Sequence, residues 1–64
     1  MRNNIRVERA KKRISQEDLA FAVDATRQSI HSIENGKTEP KLRLALKISK
    51  FFELQVEDIF DADK

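Results

Sequence analysis

The chain contains no cysteine, tryptophan or tyrosine, and only one glycine, one proline and one histidine. Without cysteine there are no disulfide staples and no thiolate metal ligands, and a lone histidine does not make a zinc site. A single glycine and a single proline leave little turn chemistry for hairpins. No stretch alternates apolar with polar residues, so strands are not expected. No apolar run approaches the ~20 residues that span a bilayer. Met1-Arg2-Asn3-Asn4-Ile5-Arg6 leads into charge rather than into a signal-peptide core. The expectation is a cytoplasmic protein with no membrane partner. Gly-rich phosphate loops and paired catalytic carboxylates are also missing. His31 has only local helix neighbours, and adjacent Ser32 would point away from it. No enzymatic activity, metal, cofactor or small-molecule ligand is expected.

What the chain does have is helical pattern and segregated charge. Its 64 residues form one domain, residues 1–64, with a core small enough to gain from tight helix packing or a second subunit. The net charge is only +2, but it is unevenly distributed. Residues 1–14 carry six Arg/Lys against Glu8 alone, a local +5, whereas residues 53–64 carry five Asp/Glu against Lys64, a local −4. Such a division can present a basic face to a polyanion and keep the acidic end away from it. A solvated helix surface with an acidic tail explains the same numbers, so charge alone leaves both readings open.

Five short helices are expected, an all-α fold. The first runs from Asn3 or Asn4, where Asn is a good N-cap, to Lys12. Ser15 caps the second, with Asp18 three residues on to reach back, and Leu19, Ala20 and Val23 form its apolar face before it stops near Asp24. Thr26 caps the third, whose apolar stripe is Ile30 and Ile33 and which Asn35-Gly36 ends. Pro40 marks the entry to the fourth, where Leu44, Ala45, Ile48, Phe51 and Phe52 recur at helical spacing. Val56, Ile59 and Phe60 face inward from the fifth. Helices two and three are too close in sequence to lie antiparallel, so they cross steeply, with small Ala20 at the crossing. Arg27, Gln28, His31 and Ser32 are left on the outer face of helix three.

Three segments in order carry a resemblance: Gln16-Glu17-Asp18-Leu19-Ala20, Thr26-Arg27-Gln28-Ser29-Ile30 and Ile33-Glu34-Asn35-Gly36-Lys37. Together with Leu44-Ala45-Leu46-Lys47-Ile48 and Val56-Glu57-Asp58-Ile59-Phe60, they resemble the Cro/C1-type (XRE) helix-turn-helix regulators, especially short stand-alone members. The resemblance covers about residues 4–60. It implies a five-helix lambda-repressor-like domain, with the helix-turn-helix at about residues 16–35. It also implies a homodimer that binds double-stranded DNA at a pseudo-palindromic operator, as a repressor of transcription. Arg27, Gln28, His31 and Ser32 would face bases in the major groove. Gln16, Thr26, Asn35, Lys37, Lys41 and Arg43 would contact phosphates and set register. Arg9 and Glu34 would form a structural salt bridge. Leu54 and Phe60 are the candidate dimer contacts, although intramolecular core explains them equally well.

Several positions depart from the family pattern. Arg13, Asp24 and Glu53 stand where relatives commonly have Gly. Lys41 and Gln55 replace capping residues, Glu8 replaces a core Leu, and Phe21 lies where a polar residue is usual. An antitoxin or protein-interaction module built on the same fold is the alternative function. The basic residues around helix three favour DNA.

Overall fold

The computed structural model describes residues 2–61, so Met1 and residues 62–64, with Asp63 and Lys64 of the acidic tail, lie outside the described part. Five helices follow one another: α1 (Ile5–Lys12), α2 (Gln16–Ala22), α3 (Arg27–Glu34), α4 (Leu42–Phe51) and α5 (Val56–Ile59). Two short strands, β1 (Arg2–Asn3) and β2 (Phe60–Asp61), flank them. They pair antiparallel, with Arg2 opposite Asp61 and Asn3 opposite Phe60. This pairing corrects the expectation that no strand would form. Two residues per strand are too few for an alternation pattern to register, and the pairing is non-local.

Local chemistry sets most of the helix starts. At α2, Asp18 N donates to Ser15 Oγ and Ser15 N donates to Asp18 Oδ2, both at 3.0 Å. The Ser15 backbone N–H and hydroxyl hold the Asp18 carboxyl below its ordinary range. At α3, Ser29 N donates to Thr26 Oγ1 at 3.0 Å. Lys41 precedes α4 and supplies no side-chain cap. Asn4 occupies the cap position of α1, again without a side-chain capping bond. There Asn3 takes over, its Oδ1 accepting from Ile5 N at 3.2 Å.

Four helix ends share one solution. The two residues after each helix body turn back onto its last carbonyls: Arg13 N to Ala10 O and Ile14 N to Arg9 O, Asp24 N to Phe21 O and Ala25 N to Ala20 O, Gly36 N to Ile33 O and Lys37 N to Ser32 O, Glu53 N to Lys50 O and Leu54 N to Ser49 O. This is the Schellman arrangement, which requires a left-handed residue at the turn. Gly36 adopts it at φ 74°, and Arg13, Asp24 and Glu53 adopt it at 57°, 58° and 57° without being glycine. The departures noted in the sequence therefore keep the left-handed geometry. The following residue offsets the strain. Ile14, Ala25 and Leu54 are apolar and pack against the core, whereas Lys37, after the glycine, is exposed.

The core joins all five helices. Ile5, Leu19, Ile30, Ile48 and Ile59 are fully buried at its centre. Only Ile5 of α1 is buried, because Glu8 stands where an apolar residue would extend the contact. Glu8 pairs instead with Lys11, at 3.2 Å. Phe52 meets Phe51 edge-on at 5.1 Å between ring centres, and Lys12 Nζ lies 5.7 Å from the centre of the Phe51 ring. Phe60 is 8% exposed and belongs to the core, since pairing of β2 with β1 turns it inward. Its assignment as a dimer contact therefore leaves it almost no surface to offer. No helix among the described residues is long and apolar enough to cross a membrane.

Candidate nucleic-acid interface

The turn between α2 and α3 brings two helices together through Leu19, Ala20, Val23, Ile30 and Ile33, all buried. Ala20 at 3% exposure allows the close approach that a larger side chain would block. With Ile30 and Ile33 fixed inward, the 100° step of the helix turns Arg27, Gln28 and His31 outward. All three are exposed, and Ser32 is half-buried at the edge of the same face. Arg27, Gln28 and His31 line one shallow concavity with Gln16 of α2. Gln28 and Ser32 also line a second one, closed by Thr38, Glu39, Pro40 and Lys41 of the following loop. Gln28 thus stands on the ridge between the two. Its side chain and that of Arg27 form no hydrogen bond or ion pair among the described residues.

Behind this face lies a charge cluster that holds α3 against α1. Arg9 grips Glu34 through two bonds, Nε to Oε2 and Nη2 to Oε1, each 2.9 Å. Its remaining Nη1 donates to Ile14 O at 2.9 Å, so one guanidinium also ties the end of α1. Arg6 adds Nε to Glu34 Oε1 at 3.2 Å. The Glu34 side chain is 1% exposed. Burial pushes its carboxyl upward. The hydrogen bonds from Arg9 and Arg6, the charge of Arg9 and the Gln16 amide outweigh this and hold it below the ordinary carboxylate range. The bonds to Glu34 raise the Arg9 guanidinium against a smaller opposing effect of burial.

Two residues that sequence reasoning missed support the same helix. Asn3 Nδ2 donates to Ile33 O at 2.8 Å, which gives the carbonyl already accepting from Gly36 N a second donor from outside the helix. Arg6 Nη2 donates to Asn35 Oδ1 at 3.1 Å. Neither was legible locally, because Asn3 and Ile33 are thirty residues apart.

The candidate phosphate-contacting residues divide by environment. Asn35, Lys37, Lys41 and Arg43 are exposed, and the three cations have no ion pair among the described residues. Glu39 is the one acidic side chain in residues 35–43. Gln16 is half-buried, with its Nε2 3.4 Å from His31 Nδ1. The Thr26 hydroxyl is already engaged, accepting from Ser29 N and donating to Ser29 Oγ at 2.8 Å. Among the described residues no group of His, Asp or Glu side chains is placed to hold a metal ion.

Comparison with known proteins adds a second line of observation. A family model described as helix-turn-helix matches residues 5–59. An HTH-type transcriptional regulator of Methanocaldococcus jannaschii is 48% identical over 60 residues, covering 94% of this chain and 91% of that protein. One from Archaeoglobus fulgidus is 46% identical over 63 residues, covering 98% and 90%. One from Bacillus subtilis is 45% identical over 60 residues, covering 94% and 91%.

Proposed function

The chain belongs to the Cro/C1-type helix-turn-helix family, and from that premise we propose that it is a DNA-binding transcriptional regulator, a repressor that occupies a pseudo-palindromic operator as a homodimer. The observation that carries this reading is the unpartnered Arg27 and Gln28 pair on the outer face of α3. A long cation and an amide exposed side by side, with no partner among the described residues, suit the edges of base pairs. Arg can take guanine O6 and N7, and Gln can take adenine N6 and N7, each pair contributing about 1–3 kcal/mol of discrimination. Ser32 is a third reader at the edge. Gln16, Asn35, Lys37, Lys41 and Arg43 surround that face and set register on the phosphates; Thr26 reaches a phosphate only by giving up its bond to Ser29.

A dimer needs apolar surface, and α4 has it. Leu42 is 72% and Leu46 50% exposed, one helical turn apart, and half-buried Leu54 lies beyond the end of α4. A second copy seated on this flank would let two recognition helices reach half-sites about 34–36 Å apart.

Selection from random duplexes tests the reading. The expected result is an enriched motif with dyad symmetry, and Arg27→Ala or Gln28→Ala should relax it at one or two positions per half-site. Sedimentation of wild type against Leu46→Glu tests the dimer. Wild type that enriches no sequence at moderate salt would remove the operator reading and leave a protein partner, as in an antitoxin.

A further inference from the structure

His31 lies between two amides, each anchored from behind. On one side Arg6 Nη2 donates to Asn35 Oδ1 at 3.1 Å, which turns Asn35 Nδ2 toward His31 Nε2, also 3.1 Å away. On the other side Gln16 Nε2 approaches His31 Nδ1 at 3.4 Å. Both amides therefore present donors to the imidazole. A neutral imidazole has one lone pair to offer, since its other nitrogen carries the proton. Turning Asn35 over would set its Nδ2 against the Arg6 donor. As oriented, two amide donors compete for one acceptor, and in either tautomer the imidazole can satisfy only one of them.

We propose that His31 is a positioning residue rather than a base reader: it holds the Gln16 and Asn35 amides at the rim of α3 and leaves one N–H of the pair free for a DNA phosphate oxygen. The anion resolves the competition, because it accepts the donor that the imidazole cannot. This inference rests on the operator reading above and specifies how two of its phosphate contacts are prepared.

The experiment measures affinity, salt dependence and selected motif for wild type, His31→Ala and His31→Gln, and for Gln16→Ala and Asn35→Ala alone and combined with His31→Ala. His31→Ala is expected to weaken binding about fivefold to tenfold on every duplex, the size of one hydrogen bond. The selected motif should be unchanged. The slope of affinity against salt should also be unchanged, because amides release no counterions. His31→Gln, which retains an acceptor, is expected to recover part of the loss. Adding Gln16→Ala or Asn35→Ala to His31→Ala should cost less than the same change in wild type. A motif altered at a base position, or fully additive losses, would overturn the positioning role and leave the operator reading intact. Wild type with no motif at all would instead remove the operator reading.

Discussion

The end of α3 differs from the other three Schellman ends among the described residues. At the ends of α1, α2 and α4 a non-glycine residue takes the left-handed turn, and the next residue, Ile14, Ala25 or Leu54, is apolar and held by the core. At the end of α3 the turn is Gly36 and the next residue is exposed Lys37. Arg13 and Glu53 therefore tolerate strain of ~1–2 kcal/mol each, and Asp24 less, where an apolar neighbour packs against the core, while the fourth turn is unstrained and is followed by no apolar residue. The exception is the end whose following residues, Lys37 to Arg43, are exposed apart from half-buried Pro40 and lie beside the outward side chains of α3. An apolar residue in place of Lys37 would draw this loop inward. Beyond the buried Ile30 and Ile33, what secures the last turn of α3 is polar and comes from α1 and β1: Arg9 and Arg6 on Glu34, and Asn3 on Ile33.

The largest effect expected tests that polar substitute. Glu34→Ala should destabilise by about 3 kcal/mol, because it leaves Arg9 without its partner in a mostly buried site. Urea unfolding measures this. The carboxyl is held below its ordinary range when folded, so its contribution is complete above the unfolded carboxylate range and is lost as pH falls through the folded value. Glu34→Gln should flatten this part of the acid limb of stability against pH. Next comes Leu54→Ala, expected to cost about 2 kcal/mol through lost apolar burial, against less than about 0.5 kcal/mol for Lys37→Ala. Equal losses from these two variants would erase the distinction between pinned and unpinned ends. Gly36→Ala should cost about 1 kcal/mol, since no buried neighbour offsets the strain. Smallest is Glu53→Gly, where relief of strain exceeds the added freedom of the unfolded chain and the net gain stays under about 1 kcal/mol. Thermal denaturation can rank these last two.

Much of this was legible locally. Ser15 with Asp18, Thr26, and Asn35-Gly36 announce where helices begin and stop, because capping acts within four residues. The outward face of α3 follows from Ile30 and Ile33 by helical spacing alone. The left-handed turns at Arg13, Asp24 and Glu53 were legible only as departures from a family pattern, since none of these residues favours that conformation strongly enough to announce it. What remained hidden depends on chain return. Phe60 reads as surface or core with equal ease until β2 meets β1. Asn3 reads only as a helix cap until its amide is seen against Ile33 O. Arg9 was legible as the partner of Glu34 through the family resemblance, whereas Arg6, its exposed companion, emerged only from the packing of α1 on α3.

The β1–β2 pair has a practical consequence. Arg2 stands opposite Asp61, which in an antiparallel pair means α-carbons about 5 Å apart. A short peptide joining Asp61 to Arg2 across that gap would make the backbone circular beside the end of α3, where Asn3 Nδ2 meets Ile33 O. Circularisation would lower the entropy of the denatured ensemble, and the backbone could then be reopened at an exposed turn elsewhere to give a permuted protein with the same outward helix.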